Sequence, residues 1–447
     1  MRRSWVAGFS VSVLLAGGGG ALLLDRPSGT VHAVPKQTPS PDPVRTPLLD
    51  AAAPSAPQPT ARGLRRALAK ALADKGLGTR VGVSVVDALT GAALLEIDAH
   101  RAVTPASTAK IATAVAVLTV LPADRRFTTT VVQGAVGDVV LVGAGDPTLA
   151  GRAAQPGFPT SARLADLATQ LKGLVVRRVV VDDALFSGPR TGPGWKPGYV
   201  TAGDVAPVSA LAVDEGRVSR TSKSRVADPA LAAGEQLAAL LHVRPVLRGT
   251  APAGATVLAH VDSPTVSALV ESMLTHSDND LAEALSRHVA LEMKLPATFA
   301  GEAAATATAL GPLLEDAGID RRGVALQDAS GLSPLDRLEP AALTRLLAAV
   351  AKDVRYAPIL SGLPVAGFDG TLAKRYRTAP TLAAAGSVRA KTGTLNGVSA
   401  LAGLVRTLDG RLLAFDLTAD GVPLTGTLAA QAALDRVATV LASCGCT

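Results

Sequence analysis

The stretch PASTAKIATA, residues 105–114, places a lysine within a helical pattern of small and apolar residues. Ile111, Val115 and Leu118 recur at helical spacing, so the helix that they predict is largely buried. A buried ammonium group costs several kcal/mol unless it is paired or its pKa falls. Any fold of this chain must therefore bring polar partners to Lys110 from elsewhere in the sequence.

The start of this helix carries a second reactive group. Thr104 can cap the helix, Pro105 suits its first position, and Ser107 then lies in the first turn. Because residues at i and i+3 share one helix face, the Lys110 amine can take the proton of the Ser107 hydroxyl, which makes a serine nucleophilic. A surface helix could carry both residues by chance, but the S-x-x-K spacing occurs once in the chain.

A second motif, Ser277-Asp278-Asn279, lies at the junction of two predicted helices. The Ser277 hydroxyl can relay a proton, and the Asn279 carboxamide can hold a lysine in place and accept a substrate amide N–H. The same residues are also typical of a capping turn. The chain has only two asparagines, Asn279 and Asn396, so chance explains this position poorly.

A third motif, Lys391-Thr392-Gly393-Thr394, lies in a predicted strand. Its lysine and hydroxyls offer a cationic, hydrogen-bonding site for a carboxylate. The glycine lets a substrate backbone lie against the strand, and an N–H after it can form an oxyanion hole with that of Ser107. The alternative interpretation is that the motif is a strand-edge lysine followed by a turn glycine, with no role in binding.

S-x-x-K, S-x-N and K-T-G in this order form the signature of the serine penicillin-recognising enzymes. More narrowly, the chain resembles the D-alanyl-D-alanine carboxypeptidase/endopeptidase family of low-molecular-mass class C penicillin-binding proteins, peptidase family S13. The resemblance covers most of the chain from about residue 63 onward. Further stretches that carry it are GAGDPTL (143–149), SALAVDEG (209–216), SDNDLAEAL (277–285), DASGLSPLDR (328–337), GFDGTL (367–372) and KTGTLNGVSALAG (391–403).

The resemblance implies a catalytic role for four residues of the first two motifs. Ser107 would attack the carbonyl between two D-alanines of a peptidoglycan stem peptide, and Lys110 would take its proton. Ser277 and Asn279 would pass that proton on and position the substrate. Water would then hydrolyse the acyl-enzyme, and it stays open whether the enzyme also cuts cross-links as a DD-endopeptidase.

The resemblance also implies how the substrate is bound. Lys391, Thr392 and Thr394 would bind the terminal carboxylate beside Gly393, and the N–H groups of Ser107 and Thr394 would hold the oxyanion. No metal or other cofactor is implied. The expected partners are stem peptides ending in D-Ala-D-Ala and β-lactam inhibitors.

The fold class expected is α+β. The resemblance implies the fold of the penicillin-binding proteins and serine β-lactamases, an antiparallel sheet flanked by helices, and the short β-branched runs after residue 126 indicate an inserted β-rich domain. In many family members the insertion is longer and forms two subdomains, whereas here it looks long enough for one. The predicted boundaries are 63–126 and 249–447 for the catalytic domain, 127–248 for the insertion, and 34–62 for a Pro/Ala-rich linker.

The N-terminus and the composition limit where the protein works. Arg2 and Arg3 precede an apolar run, residues 5–24, so residues 1–33 read as a cleaved signal peptide or a membrane anchor, and the body is expected outside the cytoplasm. The net charge of +7 comes from residues spread along the chain, and aromatic residues make up only 3%, so nucleic acid is not an expected partner.

The two cysteines, Cys444 and Cys446, are expected to lie in an exposed tail, without a disulfide across the fold.

Three alternatives remain to be weighed. A class A serine β-lactamase would need the pattern E-x-x-L-N, and a class C enzyme would need Y-x-N. The chain contains neither pattern. We therefore expect slow deacylation of β-lactams. A zinc carboxypeptidase would need a spacing such as H-E-x-x-H, which the six histidines lack. A non-catalytic wall-binding scaffold with the same fold would fail to label with fluorescent penicillin.

Overall fold

The computed structural model describes residues 55–151, 162–219 and 222–446 of the 447-residue chain. The predicted signal or anchor (1–33) and most of the predicted linker lie outside these residues. Within the described ranges, no helix combines the length and the apolar character needed to cross a membrane.

Helices and strands occur in runs along the chain, which is an α+β order. The helices are α1 (Ala61–Leu72), α2 (Ala109–Val120), α3 (Leu164–Gln170), α4 (Gly198–Ala202), α5 (Pro229–Leu241), α6 (Val266–His276), α7 (Asn279–Glu292), α8 (Phe299–Asp316), α9 (Pro340–Val350), α10 (Ala357–Gly362) and α11 (Thr427–Ala442). The strands are β1 (Val81–Asp87), β2 (Ala93–Ile97), β3 (Thr128–Gln133), β4 (Asp138–Val142), β5 (Arg178–Asp182), β6 (Val246–Arg248), β7 (Val257–Asp262), β8 (Val324–Ala325), β9 (Arg337–Leu338), β10 (Val388–Leu395), β11 (Val398–Arg406) and β12 (Leu412–Ala419).

The main sheet is antiparallel throughout, with the strand order β10-β11-β12-β1-β2. The hairpin between β10 and β11 turns at Asn396-Gly397, a residue pair that favours two-residue hairpin turns and so predicts one here. Side chains alternate between the two faces of each strand. One face packs with α1 and α11, through residues such as Phe415, and the other packs with α2 and α9, through residues such as Ala414. These two apolar layers hold the sheet edge at β10 and the helix α2 in fixed positions.

Helix α2 is buried on all sides, as its apolar sequence predicts. It begins at Ala109, after a single 3₁₀ turn that spans Ala106–Thr108. The predicted cap at Thr104 is therefore wrong, since no side chain caps this turn and Ala106 has a φ of 48°. Ser107 lies within this 3₁₀ turn and remains one helical turn from Lys110.

The inserted segment contains a second sheet, with the strand order β6-β5-β4-β3-β7. Strands β3, β4 and β7 pair antiparallel, whereas β4, β5 and β6 pair parallel. The helices α3, α4 and α5 also lie in this segment. Because β7 pairs with β3, the segment continues past the boundary predicted at residue 248, and we define it hereafter as residues 127–262.

The two ends of the described chain pack against each other. The Thr60 side chain caps α1, and the Thr60 N–H donates to the carbonyl of Cys446 at 2.8 Å. Ala56 is buried, so the last part of the predicted linker belongs to the folded body. Cys444 is also buried and forms a disulfide with Cys446, so the predicted exposed tail is wrong, although this disulfide does not cross the fold.

Candidate active site

The Lys110 ammonium is the centre of a hydrogen-bonded cluster. Its Nζ donates to Ser107 Oγ at 3.2 Å, to Asn279 Oδ1 at 2.6 Å and to the backbone carbonyl of Ser330 at 2.6 Å. The lysine is fully buried, whereas Ser107 is half-buried and therefore reachable by a substrate. The first two sequence motifs thus meet at one nitrogen atom.

The second motif turns the chain sharply between α6 and α7. Ser277 has a φ of 58°, and the Asp278 side chain caps α7 by accepting from the N–H of Leu281. The Asn279 Nδ2 donates to the backbone carbonyl of Asp204 at 2.7 Å. The Asn279 oxygen faces Lys110, and its acceptance of a substrate N–H stays a prediction.

The third motif lies in β10 at the edge of the main sheet. Lys391 is fully buried, and its Nζ donates to Ser277 Oγ at 2.8 Å. A side chain at Gly393 would place its Cβ 2.8 Å from the carbonyl oxygen of Pro105, so only glycine lets the strand approach the Ser107 turn this closely. The structure therefore brings all three motifs into one cluster.

The outer edge of β10 is only partly covered. Residues 364–366 pair with it as far as Ala390, where the Ala390 N–H donates to the Pro364 carbonyl at 2.9 Å. Among the described residues, no strand pairs with the edge from Thr392 to Leu395. This uncovered stretch can hydrogen-bond the backbone of an extended peptide.

Burial lowers the pKa of Lys110 from its ordinary value to about 8, against the opposing charges of Asp328 and Glu283. Burial also lowers the pKa of Lys391, and the neighbouring charge of Lys110 lowers it further. Of these two lysines, it is therefore Lys391 whose pKa is lowered by the neighbouring ammonium. A buried lysine with a pKa near 8 is neutral often enough at neutral pH to act as a base.

Several residues that the sequence did not assign support this cluster. Glu283 Oε1 accepts from the N–H of Ser330 at 2.9 Å, and Asp328 accepts from the N–H groups of Gly331 and Ser333 at 2.7 Å each. Trp195 Nε1 donates to Asp328 Oδ2 at 2.6 Å. Together these bonds hold the loop whose carbonyl faces Lys110.

The threonines of the third motif also have unassigned partners. Thr392 Oγ1 donates to Thr371 Oγ1 at 2.9 Å, and Gln431 Nε2 donates to Thr394 Oγ1 at 3.2 Å. The GFDGTL stretch contains Thr371, so a sequence signal existed there. Gln431 lies in α11 and had no signal that distinguished it from other surface glutamines.

Comparison with known proteins agrees with this geometry. The sequence profile of the D-Ala-D-Ala carboxypeptidase 3 (S13) family matches residues 64–224 and 219–443. The chain belongs to this family. It is 42% identical to carboxypeptidase DacB of Mycolicibacterium smegmatis over 408 aligned positions, and the alignment covers 88% of this chain and 86% of that protein. It is 30% identical to a D-alanyl-D-alanine carboxypeptidase of an Actinomadura strain over 458 aligned positions, and the alignment covers 83% of this chain and 83% of that protein.

A solved structure shares the fold. Penicillin-binding protein 4 of Haemophilus influenzae superposes with a TM-score of 0.67 at 23% sequence identity, covering 85% of this chain and 97% of that chain. The predicted α+β penicillin-binding-protein fold is therefore confirmed. The predicted enzyme class, a peptidase of the D-Ala-D-Ala carboxypeptidase family, is confirmed by the family membership.

Proposed function

We propose that this chain removes the terminal D-alanine from peptidoglycan stem peptides through an acyl-enzyme on Ser107. The observation that carries the proposal is the buried Lys110 Nζ, 3.2 Å from Ser107 Oγ, with a pKa lowered to about 8. In its neutral form this amine accepts the Ser107 proton as the Oγ–carbon bond forms. The enzyme is expected to act outside the cytoplasm, where this substrate occurs.

The remaining motif residues serve the later steps of the proposed reaction. The oxyanion receives hydrogen bonds from the N–H groups of Ser107 and Thr394. The proton on Lys110 passes through the Ser277 hydroxyl to the leaving D-alanine nitrogen as the peptide bond breaks. Water then attacks the ester, which releases the shortened peptide and returns the proton to Ser107.

The substrate is proposed to lie along the uncovered edge of β10. Its C-terminal carboxylate is bound by Lys391, Thr392 and Thr394, and the Lys391 charge lies next to Ser277, where the leaving group departs. A penicillin carries a carboxylate and a reactive amide at similar separation, so it acylates Ser107 as well. Because no carboxylate is hydrogen-bonded to Ser107 or Lys110 within the described part of the chain, we expect the penicillin ester to hydrolyse slowly.

The proposal is tested with a defined pentapeptide ending in D-Ala-D-Ala. We expect wild-type protein to release D-alanine, Ser107→Ala to release none, and Ser361→Ala to behave as wild type, since Ser361 is an exposed serine on α10. D-Alanine release by Ser107→Ala would refute the proposal. A cross-linked muropeptide dimer in a parallel reaction reports whether the same site also cuts cross-links.

A further inference from the structure

We propose that the inserted segment fixes the orientation of the Asn279 carboxamide through the backbone carbonyl of Asp204. One amide N–H is thereby presented to the substrate. This inference rests on the proposed function and assigns to the segment a positioning role in that reaction. Four observations carry it: the bonds of the carboxamide, the backbone conformation before Asp204, a buried tether on the next residue, and the accessibility of Asn279.

The carboxamide of Asn279 can be satisfied in only one orientation. Its oxygen accepts from the Lys110 ammonium at 2.6 Å, and its nitrogen donates to the Asp204 carbonyl at 2.7 Å. Rotating the amide by 180° would direct N–H groups at an ammonium donor and an oxygen at a carbonyl oxygen, and both contacts would be repulsive. The Asp204 carbonyl therefore selects the orientation that Lys110 requires.

An amide nitrogen has two N–H groups, and Asp204 uses one of them. Asn279 is half-buried, so the second N–H remains accessible to a bound molecule. A substrate or inhibitor with an amide carbonyl on the acyl side of the reacting bond can accept it. The penicillin nucleus alone lacks such a carbonyl, whereas benzylpenicillin carries one in its acylamino side chain.

The Asp204 carbonyl is held in place by its own loop. Gly203 ends α4 with a φ of 83°, and a Cβ at this position would lie 2.0 Å from the Lys223 carbonyl oxygen. The Asp204 N–H donates to the Tyr199 carbonyl at 2.9 Å. A larger residue at position 203 must therefore displace the loop and the carbonyl that Asn279 contacts.

A second tether fastens the same loop to the start of α7. Asp280 follows Asn279 and accepts from the Ala206 N–H at 2.8 Å, while its other oxygen lies 2.9 Å from Arg225 Nη2. Both side chains of this ion pair are buried. Arg225 also donates to the Glu215 backbone carbonyl, so the charged pair connects two loops of the inserted segment to the helix that carries Asn279.

Two variants test the inference, with a matched control. Gly203→Ala displaces the loop, and Asp280→Ala removes the tether. The control is Gly173→Ala in the same segment, where φ is 89° and a Cβ would meet nothing within 4 Å. The measurement is the second-order rate of acylation by benzylpenicillin and by 6-aminopenicillanic acid, which is the penicillin nucleus without the acylamino side chain.

The ratio of the two acylation rates is the decisive quantity. We expect this ratio to fall about tenfold in both variants, equivalent to about 1.4 kcal/mol, because only benzylpenicillin loses the Asn279 N–H. Gly173→Ala is expected to keep the wild-type ratio. Partial unfolding would lower both rates equally and leave the ratio unchanged, so folding defects do not mimic the result.

The remaining outcomes separate this inference from the function on which it rests. A wild-type ratio in both Gly203→Ala and Asp280→Ala would overturn the inference, and so would an equal fall in the Gly173→Ala control. Should Gly203→Ala fail to fold, the ratio in Asp280→Ala decides. Wild-type protein that neither penicillin acylates would overturn the proposed function, and this inference with it.

Discussion

Replacing Asn279 by aspartate places a carboxylate where a neutral oxygen now lies 2.6 Å from Lys110 Nζ. The substitution keeps the shape of the side chain, adds a negative charge and removes the Nδ2 donor that bonds the Asp204 carbonyl, and only the added charge can shift the midpoint of the pH profile upward. Two unit charges about 4 Å apart attract by about 4 kcal/mol at an effective dielectric constant of about 20. Since one pKa unit is about 1.4 kcal/mol, this attraction alone would raise the pKa of Lys110 by about three units.

Burial of the new carboxylate offsets part of that attraction. We therefore expect the pKa of Lys110 to rise from about 8 to about 10 or above. The fraction of neutral lysine at pH 7 then falls about a hundredfold, and the rate of acylation by penicillin falls with it. The rate should recover about tenfold for each unit of added pH until the new pKa is reached.

The assay is stopped-flow acylation between pH 6 and pH 10. The matched control is Asn396→Asp, which changes the other asparagine of the chain in an exposed turn and is expected to leave the pH profile unchanged. An Asn279→Asp profile with the wild-type midpoint would refute Lys110 as the general base. A rate reduced equally at every pH would also refute it.

Three further predictions concern the site and the fold. Lys391→Met should lower kcat/KM for the pentapeptide about tenfold to a hundredfold by removing a charged hydrogen bond to the carboxylate, whereas Lys352→Met, at an exposed lysine, should not change it. Trp195→Phe should lower the free energy of unfolding in urea by about 1–3 kcal/mol, because the buried Asp328 carboxylate loses a donor at 2.6 Å; unchanged stability would contradict the support assigned to this loop. Burial raises the pKa of Asp416 to about 7. The folded protein therefore becomes less stable as pH rises from about 4 to 7, because the carboxyl ionises readily in the unfolded chain but not in the folded one. Asp416→Asn should therefore be more stable than wild type at pH 8, by up to about 4 kcal/mol, and this advantage should disappear near pH 4, while Asp409→Asn in an exposed turn should show neither effect.

Side-chain chemistry made the centre of the site predictable from sequence. Lys110 is a costly residue type in a buried helix, Asn279 is one of two asparagines in the chain, and each lies with Ser107 where its motif places it. The turn at Asn396-Gly397 and the helix α2 were predictable for similar reasons, since local chemistry and periodicity determine both. The conformation of this turn and of this helix is determined mainly by nearby residues.

Backbone groups at the site could not be predicted in this way. The carbonyls of Ser330 and Asp204 complete the cluster, yet every residue carries a carbonyl, so no residue type marks the ones that tertiary contacts select. The conformation of Ala106, with a φ of 48°, is likewise imposed by its surroundings, because an alanine gives no signal for it. Strand β7 was missed because its pairing with β3 joins residues far apart in sequence.

The central claim, that Ser107 carries the acyl group, is tested most directly by mass spectrometry. Intact protein incubated with benzylpenicillin should gain the mass of one penicillin, and peptide mapping should place this adduct on Ser107. Adduct on any other residue, or a full adduct in Ser107→Ala, would contradict the account.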